Sequence, residues 1–405
     1  MTVLADATSE VVDDRLAARN ALVLAAAQAL AGANITVVVA TGGITGAILA
    51  PDKALATLPV SLLTVGMWIG TLPVGMLAKR RGRRFALQIG SAFGVLGGLV
   101  SWWAILSGSF LLFLFGTLCG GFYAAAQLSY RFTATDTASP QFRAKAVAWV
   151  LAGGVFAALI GPQLIIFTKD IWPVYLFVGT FLALAACAVV NGAVLSLLKL
   201  PPPRTARHLA PGRPLGEIVR NPQFIVAAAC GVASYVIMNF MMTAAPLAMV
   251  TCHHSVGEAA LAVQWHVMGM YAPSFFTGAL IGRFGVRTIA ASGLALIAVA
   301  AATAVLGIAL WNFWVALALL GVGWNFAFIG ATTLVTQCHD AHERNKVQAF
   351  NDFLIFGSMA VGSFASGALL ARFDWTAVNA VVFPVVAVAG LLLARATPAR
   401  RPTLA

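Results

Sequence analysis

The sequence predicts an all-α integral membrane protein, with twelve transmembrane helices arranged as two pseudo-symmetric six-helix bundles. Three observations carry that prediction. Hydrophobic residues make up 60% of the 405 and charged residues 9%, against roughly 25% charged in soluble domains. Twelve apolar stretches are each about long enough to cross a ~30 Å hydrocarbon core at 1.5 Å per residue. Landmarks in the first half of the chain also recur in the second at a nearly constant offset.

The elements follow in order. The first twenty residues are polar, with Asp6, Glu10, Asp13 and Asp14 ahead of Arg15 and Arg19. That is not a basic region leading to a cleavage site, so no signal peptide is expected. Spans are expected at 21–48, 56–78, 85–106, 110–131, 146–167, 174–198, 223–250, 261–281, 288–310, 312–335, 348–371 and 376–394. With the N-terminus inside, all but three of the 25 Lys and Arg residues fall on the cytoplasmic side. They include Lys79, Arg80, Arg81, Arg83 and Arg84, then Arg131, Arg143 and Lys145, and Arg204, Arg207, Arg213 and Arg220 further on. Lys53, Lys169 and Arg372 are the exceptions. The asymmetry predicts a multi-pass protein of the bacterial inner membrane with both termini cytoplasmic. It also accounts for the net charge of +12 by loop topology, which excludes a nucleic-acid partner.

The second half repeats the first. Gly75-Met-Leu-Ala-Lys79-Arg-Arg-Gly82-Arg83-Arg84 follows the second span, and Gly278-Ala-Leu-Ile-Gly282-Arg-Phe-Gly285-Val-Arg287 follows the eighth. Gly121-Phe-Tyr in span four matches Gly323-Trp-Asn in span ten, and Arg143-Ala-Lys145 matches Arg344-Asn-Lys346. An offset of about 202 residues in all three pairs predicts a duplicated six-helix unit, a transporter architecture with its site between the halves. The domains are then 1–199, a cytoplasmic linker 200–222 rich in Pro and Arg, and 223–405.

Ionisable or soft polar groups inside a span call for a functional reading. No Lys or Arg is expected deep in any span. Asp352, near the cytoplasmic end of span eleven beside Asn351, is read either as a buried gate contact or, by preference, as a helix-start charge, since acids suit a helix N-terminus. His266 is the one histidine within a span, and Met270 lies four residues on. Span seven carries Met238 and Met242 at the same spacing. Residues i and i+4 share a helix face, and these helices run antiparallel, so the pairs meet at about 12–13 Å from the outer surface. Three thioethers and an imidazole are a soft ligand set suited to Cu(I). Packing by methionine is the alternative. Cys230 lies in the inner part of span seven. Cys252 lies at its outer end, beside His253 and His254 and three residues after Met249, and this cluster is read as an outer entry point. The two thiols are about 33 Å apart on a continuous helix, too far for a disulfide. Gly153-Gly154 and Gly161-Pro162 in span five read as close packing and a kink.

The two Gly-rich basic loops carry the spacing of the major facilitator superfamily signature, and the chain resembles that family over its whole length. The resemblance implies a cytoplasmic gate loop at Gly75, Lys79, Gly82, Arg83 and Arg84. The family usually has an aspartate where this chain has Lys79, and that aspartate helps latch the gate. Met-x-x-x-Met on helix seven and His-x-x-x-Met on helix eight, with cysteines to either side, further resemble the CcoA-type bacterial copper importers. That resemblance implies copper as the substrate of Met238, Met242, His266 and Met270, and Cys230 and Cys252 as required thiols. It also implies copper supply for cytochrome oxidase assembly, a cytoplasmic copper chaperone or acceptor, and no resident cofactor.

Members of the same branch move organic solutes such as riboflavin. The second expectation is therefore an organic-solute transporter, of riboflavin-like or drug substrates, with Trp68, Tyr123, Tyr130, Tyr235 and Trp324 lining its cavity. No Cys-x-x-Cys pair or Ser-His-Asp set is present, and no enzyme is expected.

Overall fold

The computed structural model describes residues 14–200, 213–340 and 343–395. The linker residues 201–212, with Arg204 and Arg207, lie outside the described residues. Sixteen α-helices follow one another: α1 Asp14–Leu49, α2 Leu58–Arg81, α3 Arg83–Leu106, α4 Phe110–Gln127, α5 Tyr130–Thr133, α6 Pro140–Thr168, α7 Val178–Ser196, α8 Leu215–Val219, α9 Pro222–Thr251, α10 Val256–Tyr271, α11 Ser274–Phe284, α12 Val286–Val305, α13 Leu310–Thr336, α14 Arg344–Arg372, α15 Trp375–Ala380 and α16 Val382–Arg395. Helices satisfy their own backbone groups, which hydrocarbon demands. Among the described residues, eleven helical segments are long and apolar enough to cross a membrane.

The twelfth crossing is broken. The expected continuous span 261–281 is two helices, α10 and α11, joined at Ala272-Pro273. Its start lies earlier than expected because Ser255 and Glu258 close a reciprocal capping box. At the break, Asn325 of α13 donates from Nδ2 to the Met270 carbonyl at 2.6 Å and to Ser274 Oγ at 2.7 Å. Its Oδ1 accepts from Thr277 at 2.6 Å. The polar groups freed by the interruption are therefore satisfied from a neighbouring helix.

The repeat is visible in the backbone. Gly82 ends α2 and starts α3 at φ 92°, ψ 153°, and Gly285 joins α11 to α12 at φ 86°, ψ 149°. A side chain would strain this conformation, so both copies need glycine. Near Gly82, Arg83 pairs with Asp136 at 2.7 Å, tying the start of α3 to the loop before α6. Arg213 forks onto Glu343 with contacts of 3.0 and 2.8 Å. This charge-assisted pair draws the Glu343 carboxyl down to about 2 and docks the end of the linker on the second half.

The halves meet opposite the basic loops and again at mid-depth, where Trp68 of α2 lies 5.3 Å from Phe353 of α14. Opposite the basic loops, Ser61 of α2 bonds Ser363 of α14 at 2.9 Å, and Gln163 of α6 bonds Gln264 of α10 at 3.1 Å. At Gly43 of α1 an added methyl would sit 3.5 Å from Leu247 of α9. At the basic end Gly75, Gly278 and Gly282 have nothing within 4 Å of an added methyl. Among the described residues the molecule is a wedge, packed most closely at the far end.

Candidate functional site

Between the halves lies a cavity of about 180 Å³. It exceeds the space of one desolvated ion but falls short of the ~300 Å³ typical of small-molecule sites, so a ring system needs the wedge to open further. The second half supplies an aromatic wall. Tyr235 stands edge-on to Trp324, Phe328 and Phe356, with centroids 5.1, 4.9 and 5.6 Å away. Trp324 and Phe328 stack at 5.0 Å and 14°. Three rings grouped around one tyrosine form the geometry in which aromatic pairs attract.

All four residues of the methionine and histidine pattern reach this cavity: Met238 and Met242 from α9, His266 and Met270 from α10. The i, i+4 spacing puts each pair on one face, as the sequence predicts. Gly321 lets α13 approach so closely that an added methyl there would sit 2.2 Å from the His266 carbonyl. That approach brings the Leu317 carbonyl to 2.9 Å from His266 Nδ1. A carbonyl only accepts, so Nδ1 carries the proton. A charged imidazole without a counter-ion would be costly here; the ring is therefore uncharged and Nε2 presents a lone pair. His266 is 1% exposed and Nε2 has no partner.

Three more cavity residues carry a buried polar atom without a partner: Gln127 Oε1, Arg131 Nε and Trp324 Nε1. Two acceptors and two donors thus stand along the wall without partners, Gln127 and Arg131 on the first half, His266 and Trp324 on the second. Natural interiors leave few such groups unsatisfied, and a cargo with complementary polar edges would satisfy these.

Several expected site residues lie elsewhere. Cys230 is fully buried, with its Sγ 3.9 Å from the Ala389 carbonyl of α16. Cys252 is half-buried at the far end of α9, and both thiols are free. Because α9 is continuous between them, they stand far apart along one helix, and neither lines the cavity. The outer entry cluster is not assembled. Met249 is fully buried in the core, since it occupies the inward face of α9. His254 is engaged by the Ile308 carbonyl at 2.8 Å and by the edge of Phe313, while His253 is exposed with φ 66°. Among the described residues no three His, Cys, Asp or Glu converge as metal ligands. Tyr123 and Tyr130 belong to the core of the first half, where Asn191 bonds Tyr130. Trp68 packs on Gly357 and Phe353 between the halves.

Two charges were misplaced by the sequence reading. Arg131 was expected in a cytoplasmic loop. The fourth crossing runs on past Leu128 into α5, and Arg131 lines the cavity there. Asp352 was read as a helix-start charge. Helix α14 begins at Arg344 and has no acid in its first turn, so Asp352 sits two turns inside it.

The family described as Major Facilitator Superfamily matches residues 22–263 and again 228–405. Over 309 residues the chain is 50% identical to the riboflavin transporter RfnT of Brucella anthropi, covering 76% of this chain and 77% of that one. It is 34% identical to the uncharacterized MFS-type transporter YdeG of Bacillus subtilis, covering 75% of each chain. In fold it is similar to a bacterial homolog of the human lysosomal transporter Spinster. The unoccupied inward-facing structure of that protein gives a TM-score of 0.66 at 17% identity, covering 94% of this chain and 95% of that one.

Proposed function

This chain belongs to the major facilitator superfamily, a multi-pass membrane transport protein, and from that premise we propose that it carries a flat aromatic solute of the riboflavin class. The organic-solute expectation thereby displaces copper import as the leading reading. One observation carries the proposal: an aromatic wall of Tyr235, Trp324 and Phe328 shares its cavity with unpartnered acceptors on Gln127 and His266 and an unpartnered donor on Trp324. A flavin offers a π-face to the wall, a ring N–H to an acceptor and ring carbonyls to a donor. The 50% identical relative named as a riboflavin transporter supports the same class. Transport runs by alternating access, with the basic loops facing the cytoplasm in accord with the charge asymmetry.

The test is uptake of labelled riboflavin by cells that depend on external riboflavin, with and without the protein. Saturable uptake is expected, and Trp324→Ala should lower it about tenfold, the effect of losing roughly 1.4 kcal/mol of stacking and hydrogen bonding. No uptake above the empty control, with the protein present in the membrane, would overturn the reading.

One observation favours a second reading, copper import. The His266 Nε2 lone pair faces a cavity that also holds the thioethers of Met238, Met242 and Met270, and a metal-binding imidazole commonly donates its other N–H to a carbonyl. Oxidase assembly and a cytoplasmic copper acceptor belong to this reading alone. Radioactive copper uptake in the same cells separates the two.

A further inference from the structure

We propose that the groove between α9, α14 and α16 seats one acyl chain of an anionic phospholipid, with the headgroup at the basic end. The groove encloses about 720 Å³ on the outside of the second half. Helix α9 divides it from the central cavity: Tyr235, Met238, Asn239 and Met242 face the cavity, and Ala233, Val236, Ile237 and Phe240 face the groove. Ser358 is the single polar side chain among its lining residues. Its floor is Gly362 of α14, where an added methyl would press on Val236 at 2.9 Å. All three walls belong to membrane-crossing segments, and Val361, Val388 and Leu392 stand exposed along them. The groove is therefore continuous with the surface that the bilayer covers.

The repeat shows that the fold itself does not require this space. At an offset of about 202 residues, α9, α14 and α16 correspond to α1, α6 and α7. In the first half α6 and α7 close on each other. Thr168 Oγ1 donates to Thr180 Oγ1 at 2.9 Å, and an added methyl at Gly179 would sit 2.5 Å from the Thr168 carbonyl. In the second half Leu370 stands for Thr168, Val381 for Gly179 and Val382 for Thr180. Helices α14 and α16 each pack on α9, yet among the described residues no hydrogen bond joins one to the other. Val381 and Val382 line the groove instead. Where a glycine lets the first pair meet, two valines hold the second pair apart.

Dimensions and charge select the occupant. From Val382 to Leu392 the α16 wall runs about 15 Å at 1.5 Å per residue, half of a ~30 Å hydrocarbon core and so the depth of one leaflet. Spread over that length, the space has a cross-section of about 48 Å². An α-helix with its side chains, 10–12 Å across, needs roughly 80 Å² or more. A helix from a second copy is thus too thick, and a hydrocarbon chain is not. Arg395, exposed, lies one turn beyond Leu392 at the basic end of α16, and exposed Arg220 stands just ahead of α9 at the same end. That end is the cytoplasmic one on the charge asymmetry. At the far end Arg372 stands two turns past Ala365 with Asp374 beside it, so an anionic headgroup is favoured at the basic end.

The inference does not rest on the identity of the cargo, so its test uses none. Full-length protein, stripped of lipid in detergent, is titrated with phosphatidylglycerol and with phosphatidylcholine of the same chains, and one-lipid complexes are read by native mass spectrometry. Phosphatidylglycerol should bind at least fivefold more tightly. Filling the groove with Ala229→Phe and Ala365→Phe should weaken both lipids at least fivefold. Arg395→Gln should bring phosphatidylglycerol down to the level of phosphatidylcholine and leave the latter unchanged. Equal binding of the two lipids to the parent would overturn the proposal. So would an effect of R395Q with none of A229F/A365F, which would leave only a headgroup on a basic surface, or a dimer lost in A229F/A365F, which would give the groove to a second copy. The parent chain supplies a readout that no folding defect can confound. In vesicles, phosphatidylglycerol with a diazirine near the end of one chain should cross-link chiefly within 229–240, 358–365 and 381–392. Cross-links spread alike over the helices of both halves would overturn the seat.

Discussion

At the residue scale, the methionines and His266 decide between two chemistries that share one cavity. Leucine matches methionine in volume, and such swaps in a packed interior usually cost under about 1.5 kcal/mol. For a flavin-like cargo the thioethers only fill space around the ring. The triple variant Met238→Leu, Met242→Leu, Met270→Leu should then keep riboflavin uptake within about threefold of wild type. For copper the same variant removes three of the four soft ligands, and copper uptake should fall to background. The sequence made these four positions legible because i, i+4 spacing fixes a helix face whatever the tertiary structure. Arg131 was not legible. A helix that pauses at Leu128 and resumes for one turn looks, by residue type, like a helix that has ended, and counting basic residues by loop assigned it to water. Asp352 was misread for a related reason, since the start of α14 at Arg344 leaves no mark that distinguishes a first turn from a third.

At the element scale, the break between α10 and α11 was hidden by hydropathy, which stays high across Pro273. What permits the break is Asn325 on another helix, and no local pattern announces that partnership. The loop before α6 carries a pH dependence of its own. Burial raises the Asp136 carboxyl from 3.8 to about 6, with Arg83 pulling it partly back. The folded protein therefore binds this proton more tightly than the unfolded chain. Its contribution to stability is fully present below about pH 4 and is lost as pH rises through 6. Thermal unfolding in detergent should show wild type gaining on Asp136→Asn by several degrees as pH falls from 7 to 4. A constant difference between the two proteins over that range would show that the carboxyl titrates at its ordinary value.

At the scale of the whole molecule, alternating access requires the packing at the far end to give way. At the far end the seal depends on small size. An added methyl at Gly367 of α14 would sit 1.8 Å from Thr57 Oγ1, while Ser363 bonds both Ser61 of α2 and Thr243 of α9, at 2.9 and 3.0 Å. Valine at Gly367 forces the Thr57 side chain aside and presses on the packing between the halves there, because interiors are close-packed. Gly367→Val should therefore favour the far-end-open state, and labelling of a cysteine placed at Leu247, between the halves at that end, by a membrane-impermeant maleimide should rise about tenfold, equivalent to a shift of roughly 1.4 kcal/mol between the two conformations. Labelling of Gly367→Val equal to that of the parent would mean that the Thr57 side chain yields alone, and that the far seal rests on the Ser363 hydrogen bonds rather than on the missing side chain at 367.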